Sequence, residues 1–150
     1  MIALLPGLSL KAEDGHELWL RYAPVSDPVH HEYVSHILKH VVVDVSTSTA
    51  LVIKEEIKRA GQGMLGRPVF CEEEFSDRAT LVIGTPGTCK IPDNDSVSEK
   101  LKTLGKEGFY IDQLDFGGIE YLVIAANDPV GALYGTFHLL RLLQSGTIPE

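Results

Sequence analysis

Five carboxylates are the first candidates for acid–base chemistry in this chain: Glu72, Glu73, Glu74, Asp112 and Asp115. Hydrolysis of a glycosidic bond needs two carboxyl groups about 5 to 10 Å apart across a cleft. Nothing in the spacing of these five selects any two of them. Three consecutive glutamates are more typical of a solvated acidic turn. The residues alone therefore predict no catalytic pair.

Histidines are the second candidates, because His30, His31, His36 and His40 lie within eleven residues of one another. The spacing of His36 and His40 would place two imidazoles on one helical face, as in many metal sites. His40, however, directly precedes a strand-like run, and no acidic third ligand follows at a recognisable interval. We predict a solvated, His-rich loop and no metal site. His138 is expected to be a hydrogen-bonded residue at a packing edge.

Residues 84–90 (GTPGTCK) follow a predicted strand and resemble a phosphate-binding loop, whose pattern is G-x-x-x-x-G-K-[ST] before a helix. Gly84 and Lys90 have the required spacing. Cys89 replaces the second glycine, however, and Ile91 replaces the hydroxyl residue that would hold magnesium. Pro92 also blocks the helix that should follow. These departures indicate a strand-to-loop turn, and no cofactor is expected.

Composition excludes several function classes. The 150 residues carry 13 Lys+Arg against 21 Asp+Glu, a formal net charge of −8, so a nucleic-acid backbone would be repelled. The apolar stretches fall short of the roughly 18 to 20 residues that span a bilayer, and no membrane span is expected. With 44% hydrophobic residues the chain can bury one core, which predicts a single domain.

The first twelve residues have two interpretations. Residues 1–10 are apolar and precede Lys11, Ala12 and a polar stretch, which resembles the end of a signal peptide without its basic start. In that case residues 1–12 are a signal-peptide remnant, residues 13–146 form the domain, and the protein is secreted or periplasmic. The alternative is an ordinary apolar segment that packs on the domain.

The first half of the chain combines strand and helix patterns. Alternating apolar and polar residues predict a strand over residues 16–22, and a β-branched run predicts a buried strand over residues 41–45. Residues 23–39 are predicted to form a loop with at most one helical turn. Residues 46–65 are predicted to form a helix, capped by the hydroxyl residues at 46–49. Its apolar stripe consists of Ala50, Ile53, Ile57, Ala60 and Met64.

The second half begins with shorter elements. Two strands, a short helix and two hairpin strands are predicted over residues 67–70, 79–83, 93–104, 108–116 and 119–126. Gly117 and Gly118 form a two-residue turn that tolerates positive φ, as tight antiparallel hairpins require. Together with the helices, these elements predict an α/β fold of the α+β type. It is a two-layer sandwich, with helices packed on a mixed sheet.

The final predicted helix is apolar around most of its circumference. Asp128 and Pro129 supply its N-cap and first position, and Gly146 ends it. Its apolar residues are Val130, Leu133, Tyr134, Phe137, Leu139, Leu140, Leu142 and Leu143, and its thin polar stripe is Thr136, His138, Arg141 and Gln144. Such a helix must be buried on more than one side, which predicts docking on another domain or subunit. Gly131 and Gly135 would allow a close approach to the neighbour.

Four segments carry a resemblance to a known family. Residues 13–22 (EDGHELWLRY) and 131–144 (GALYGTFHLLRLLQ) resemble the opening and the end of the N-terminal domain of the α-glucuronidases of glycoside hydrolase family 67. Between them, residues 81–86 (LVIGTP) and 104–111 (LGKEGFYI) are similar to family segments in the same order. The resemblance covers residues 14–144.

The resemblance implies an activity that resides elsewhere in a longer chain. Family members continue into a TIM barrel that holds the catalytic carboxylates, and they remove (4-O-methyl)glucuronic acid from xylo-oligosaccharides by inversion and without a cofactor. This chain ends before that barrel, so no catalytic, cofactor-binding or metal residue is carried over onto it. The domain is similar to the non-catalytic domain that precedes the barrel in hexosaminidases. The helix at residues 129–144 is then expected to pack against the barrel of the same parent chain.

Two other functions stay open. A carbohydrate-binding module would stack Trp19, Tyr22 or Tyr33 on the sugar rings of a xylo-oligosaccharide. A stand-alone enzyme would use the acidic turn around Glu73. Because binding of a glucuronyl carboxylate requires nearby Arg or Lys, the net charge of −8 disfavours strong binding of the acidic sugar. The non-catalytic supporting domain is the function we favour.

Overall fold

The structure is a computed structural model, and it describes residues 21–45, 47–85 and 95–146. The first five residues of the strand predicted over 16–22 lie outside these ranges, and so does Trp19. Most of the GTPGTCK segment also lies outside, including Cys89 and Lys90. The remaining predicted elements fall wholly or largely within the described residues.

A mixed sheet forms the centre of the fold. Within the described residues its strands are β1 (Val41–Asp44), β2 (Cys71–Glu72), β3 (Leu81–Gly84), β4 (Phe109–Phe116) and β5 (Ile119–Ala126). They lie in the order β2-β1-β3-β5-β4. Every neighbouring pair is parallel except β4 and β5, which are antiparallel. The predicted mixed sheet with helices packed on it is confirmed.

Helices cover the two faces of this sheet unequally. They are α1 (Pro28–Ile37), α2 (Ser48–Leu65), α3 (Asp95–Lys102) and α4 (Pro129–Ser145). The first face carries α1, α2 and α4, which share a core with Val43, Ile83 and Ile124. The second face carries α3, whose Val97 and Leu101 belong to a smaller core cluster. The helix α3 thus adds a partial layer to the predicted sandwich.

The valine run of β1 is buried on both sides. Successive residues of a strand point to opposite faces of the sheet. Val41 and Val43 accordingly belong to the first-face core, whereas Val42 belongs to the second-face core. None of the three is more than 4% exposed. This double burial is the reason why a continuous β-branched run, rather than an alternating pattern, forms this strand.

The structure confirms the helix predicted over residues 46–65 and the hairpin. All five residues of the predicted apolar stripe are buried in α2, and Gly66 ends the helix with φ +70°. The turn between β4 and β5 uses Gly117 at φ +67° and Gly118 at φ +86°. The prediction of a hydroxyl cap is wrong at Thr47, the N-cap residue, because its side chain makes no capping hydrogen bond.

The prediction of a loop over residues 23–39 is wrong, because α1 occupies ten of these residues. Asp27 is the N-cap, and its side chain accepts a hydrogen bond of 2.7 Å from the amide of His30. Pro28 occupies the start of the helix, where its missing amide proton costs nothing. Only Val34 and Ile37 of this helix are buried, so its apolar periodicity is too weak to reveal it.

Two strand predictions also need correction. The strand expected over residues 67–70 lies instead at Cys71–Glu72, and β2 pairs with β1 over two residues. Pro68 cannot donate a ladder hydrogen bond, which disfavours pairing at its position. The strand expected over residues 16–22 does not extend to its last residue, since Tyr22 has φ +43°. The strand predicted over 79–83 is confirmed as β3, two residues later at its start.

The helix α4 begins and ends as predicted, but its neighbours differ. Asp128 accepts a hydrogen bond of 2.8 Å from the amide of Gly131. A Cβ atom on Gly135 would lie 2.5 Å from Ile124 of β5, so the close approach is to the chain's own sheet. Thr136 is buried, and its hydroxyl donates to the Ala132 carbonyl oxygen, which corrects its place in the polar stripe. No helix in the described residues is long and apolar enough to cross a membrane.

Candidate functional site

The sheet separates the candidate carboxylates. Glu72 lies in β2 at one edge, whereas Asp112 and Asp115 lie in β4 at the opposite edge. Four strand spacings lie between those edges, roughly 19 Å. Asp112 and Asp115 are three residues apart in one strand, so they point to opposite faces. Glu72 is therefore too far from Asp112 and Asp115 to form the carboxyl pair that hydrolysis of a glycosidic bond needs.

Three of these carboxylates have structural partners. Glu72 accepts a hydrogen bond of 2.8 Å from Nδ1 of His40, which ties the short edge strand β2 to the residue before β1. Glu73 pairs with Lys54 of α2 at 3.2 Å. Asp115 accepts a 3.1 Å hydrogen bond from the amide of Gly118 in the hairpin turn. These contacts hold edges and turns of the fold rather than forming a cleft.

Asp112 belongs to a polar cluster on the second face. The hydroxyl of Tyr110 donates to its carboxylate, and the Lys100 ammonium lies 3.4 Å from Asp112 Oδ2 and 4.2 Å from the centre of the Tyr110 ring. Partial burial raises the pKa of Asp112, but hydrogen bonds from Tyr110, the Gln113 amide and Lys100 outweigh it and hold that pKa below its usual range. A carboxylate that stays ionised cannot serve as a general acid.

The histidines do not converge. The helix α1 ends at Ile37, so His36 and His40 do not share a helical face. His30 Nε2 contacts the carbonyl oxygen of Leu143 at the end of α4. His138 packs against the ring of Phe109 at the edge of α4, as predicted. Within the parts of the chain that the structure describes, no three His, Cys, Asp or Glu side chains could hold a metal ion together.

One open cavity of about 630 Å³ lies between residues 23–27, the start of α1 and the end of α4. Its wall is mostly apolar, and His30 and Tyr33 stack with ring centres 6.3 Å apart beside it. Burial raises the pKa of Tyr33. Tyr33 is half-buried, and His30 covers one face of its ring. The acid–base side chains in its wall, Asp27 and His30, already contact the His30 amide and the Leu143 carbonyl oxygen.

Tyr22 also fails as a sugar-binding platform. It is 4% exposed, and its hydroxyl donates a hydrogen bond of 2.5 Å to Glu56 Oε1 inside the helix layer. Sequence reasoning missed this buried pair. Glu56 lies between Ile53 and Ile57 in the apolar stripe of α2, and a charged residue in that position was the available signal. Trp19 lies outside the described residues.

The thiol of Cys71 is not a candidate nucleophile. It is half-buried in β2, and burial raises the pKa of this thiol to about 12. A thiol with such a pKa carries almost no thiolate at neutral pH, and the thiolate is the reactive form. Lys54 nearby lowers the pKa, but by less than burial raises it. Cys71 is best understood as a small apolar side chain at the sheet edge.

Comparison with known proteins gives a consistent match. The family model described as "Glycosyl hydrolase family 67 N-terminus" matches residues 18–139. "Alpha-glucuronidase A" of Emericella nidulans is 30% identical over 100% of this chain and 17% of its own length. "Probable alpha-glucuronidase A" of Aspergillus clavatus is 33% identical over 90% of this chain and 16% of its own length.

A solved structure is similar at a lower level. It is described as a family GH115 4-O-methyl-alpha-glucuronidase with specificity for decorated arabinogalactans. It has a TM-score of 0.48 and 20% sequence identity, and the match covers 69% of this chain and 13% of that chain. The chain thus spans about one sixth of the length of the curated relatives that it matches.

Proposed function

The chain belongs to the N-terminal domain family of glycoside hydrolase family 67, and from this premise we propose that it is the non-catalytic N-terminal domain of an α-glucuronidase. The observation that carries the proposal is the family match over residues 18–139, together with relatives about six times as long. The dispersed carboxylates of the described residues agree with chemistry in another part of such a chain.

The parent protein that we propose removes (4-O-methyl)glucuronic acid from xylo-oligosaccharides during xylan breakdown, without a cofactor. Both fungal relatives carry the name α-glucuronidase, which supports the activity. A TIM barrel in the same parent chain supplies the catalytic carboxylates in this proposal. A secreted or periplasmic location is part of the same proposal and follows from the apolar residues 1–10.

The outer face of α4 is the surface that we assign to the barrel. Tyr134 is 47% exposed there, and Val130, Leu133 and Phe137 on the same side are only half-buried. The opposite side of α4 packs on the sheet and on α2. An aromatic side chain amid aliphatic ones is the kind of anchor that dominates many interfaces. The proposed contact therefore uses one face of α4, with the other already buried in the domain.

Uronic acid release tests the proposed activity. The full-length product of the gene and the 150-residue chain are each mixed with a methylglucuronyl xylo-oligosaccharide, and free uronic acid is followed by NMR. We expect release by the full-length protein and none by the 150-residue chain. Release by the shorter chain, or no release by the full-length protein, would overturn the proposal.

A pair of surface variants tests the docking face. Tyr134→Asp should lower the melting temperature of the full-length protein because it places a charge in the proposed contact, but it should leave the isolated chain nearly unchanged. Leu51→Asp is the matched control, since Leu51 is 66% exposed on α2 rather than α4. Equal effects of the two variants on the full-length protein would rule out α4 as the docking face.

A further inference from the structure

We propose that residues 21–25 form a strap across α2 and α4, latched by Tyr22, which opens as a unit before the sheet and the helices unfold. These residues belong to neither a helix nor a strand. The Tyr22 side chain contacts α2 through Glu56, and its amide donates a hydrogen bond of 3.1 Å to Gln144 Oε1 in the last turn of α4. One residue thus ties the segment to two helices that are far apart in sequence.

The latch combines a buried phenol with a buried carboxylate. Glu56 Oε1 accepts a hydrogen bond from the Tyr22 hydroxyl, with 2.5 Å between the two oxygens, and Glu56 pairs with Arg59 at 3.3 Å. Burial, followed by the hydrogen bond and charge of Glu56, raises the pKa of Tyr22, so the phenol stays neutral and remains a donor. A hydrogen bond to a charged acceptor is stronger than a neutral one when water is excluded.

The backbone at Tyr22 is held in an unfavourable conformation. Its φ of +43° lies in the left-handed region, and no other non-glycine residue among those described has a positive φ. A residue other than glycine keeps this conformation only where its surroundings over-determine it. Gly63 contributes to these surroundings, because a Cβ at that position would lie 2.5 Å from Tyr22 Cβ and closer still to the Tyr22 carbonyl oxygen.

A second attachment lies three residues further along. The amide of Val25 donates a hydrogen bond of 3.1 Å to the carbonyl oxygen of Met64 in the last turn of α2. Carbonyl groups in that turn lack a partner within their own helix. Ala23 and Pro24, between the two attachments, are exposed. Tyr22 belongs to the first-face core, but the strap lies outside the sheet and the helices, and such a segment is expected to open at lower free energy than the sheet.

The strap therefore links the segment that precedes α1 to the end of α4. This inference goes beyond the proposed function and does not depend on it, because each contact lies within the described residues. When the latch opens, Gln144 loses its bond to the Tyr22 amide, and the Met64 carbonyl loses its cap from Val25. The last turns of α2 and α4 are thus the regions that the strap secures.

Hydrogen exchange of single amides in the 150-residue chain tests both parts of the proposal. We expect exchange at the Val25 amide to be nearly independent of denaturant, since a local opening exposes little surface. Exchange at Ile83 in β3 should rise steeply with denaturant, as global unfolding requires. The same steep dependence at both amides would show that the strap opens only with the whole domain, which would overturn the proposal.

Tyr22→Phe tests the latch itself. It removes only the hydroxyl, and the Val25 amide should then exchange about tenfold to a hundredfold faster at low denaturant. Tyr134→Phe is the matched control and should leave that rate unchanged. Glu56→Gln keeps an acceptor oxygen and should produce a smaller increase. Unchanged exchange at Val25 in Tyr22→Phe would remove Tyr22 as the latch.

Discussion

The first and second faces of the sheet are covered by different amounts of apolar structure. Among the described residues, 22 buried residues belong to the first-face core and nine to the second-face core. Three helices cover the first face, whereas α3 covers the second with half-buried aromatic residues around it. Because the free energy of burial scales with the apolar area removed from water, the first face should dominate stability.

The polar groups are also more deeply buried on the first face than on the second. On the first face, Glu56 and Thr136 are buried, and each makes a hydrogen bond inside the helix layer. On the second face, Lys100 and Asp112 form an ion pair that is partly exposed to solvent. Water competes with such exposed pairs, so they contribute little to stability. The second face should therefore tolerate substitutions better.

The largest expected effect compares one core residue from each face. Ile57 is 0% exposed on the first face, and Leu101 is 3% exposed on the second. Ile57→Ala should lower the free energy of unfolding by about 4 kcal/mol, and Leu101→Ala by about 2 kcal/mol, because α3 has fewer neighbours to hold a cavity open. Urea denaturation measures both values. Equal losses of unfolding free energy in the two variants would show that the first face does not dominate stability.

The next effect concerns the tight contact between α4 and the sheet. Gly135→Ala should lower the free energy of unfolding by about 1 to 3 kcal/mol, because the new methyl group would overlap Ile124 and press on Phe109. Gly105→Ala is the control, since a Cβ at that position meets no atom within 4 Å. Thermal unfolding of both variants measures the difference. A neutral Gly135→Ala would show that α4 packs less closely than described.

A smaller difference in stability is expected between variants of the N-cap residues of α2 and α4. Asp128→Ala should cost about 1 kcal/mol, because the capping hydrogen bond to the Gly131 amide is lost. Thr47→Ala should cost only a few tenths of that, since Thr47 makes no side-chain cap. Chemical denaturation of the two variants is a matched comparison. A larger loss for Thr47 would contradict the structural assignment of the caps.

The smallest effect is a pH dependence on the second face. Because the pKa of Asp112 is lowered in the folded state, its stabilisation is present above the ordinary value of 3.8 and is lost as the pH falls through the lower folded value. Asp112→Asn should therefore reduce the loss of stability below about pH 4, and the change should be small because Lys100 is exposed to solvent. Denaturation at pH 6 and pH 3 measures it. An unchanged pH profile would show that the hydrogen bonds and the ion pair of Asp112 together contribute nothing to stability.

Prediction from the sequence was most accurate where local signals are strong. Interactions within a few residues determine three features that were predicted correctly. These are the helix over residues 46–65, the hairpin turn at Gly117 and Gly118, and the start of α4 at Asp128-Pro129. The helix α1 was missed although Asp27-Pro28 carries the same N-terminal signal as Asp128-Pro129. It has two buried residues in ten, so its periodicity gave no support to that signal.

The candidate site depended on distant contacts and could be predicted only in part. The sequence showed that no pair among the five carboxylates was selected by spacing, but it could not assign them partners. His40 and Glu72 are 32 residues apart in the chain and 2.8 Å apart in space. Tyr22 and Gln144 are separated by 122 residues and share a hydrogen bond. No local pattern encodes such contacts.

By itself, the sequence determined the helices and strands with strong periodicity, the turns that need glycine, and the family to which the chain belongs. Those properties depend on backbone preferences and on residue order, both of which are local. Only the tertiary structure decided that α4 approaches its own sheet through Gly135, that Tyr22 is buried beside Glu56, and that the carboxylates lie at opposite edges. The physical reason is that the order of strands in a sheet brings together residues that are remote in the chain, and that order follows from burial of the whole core.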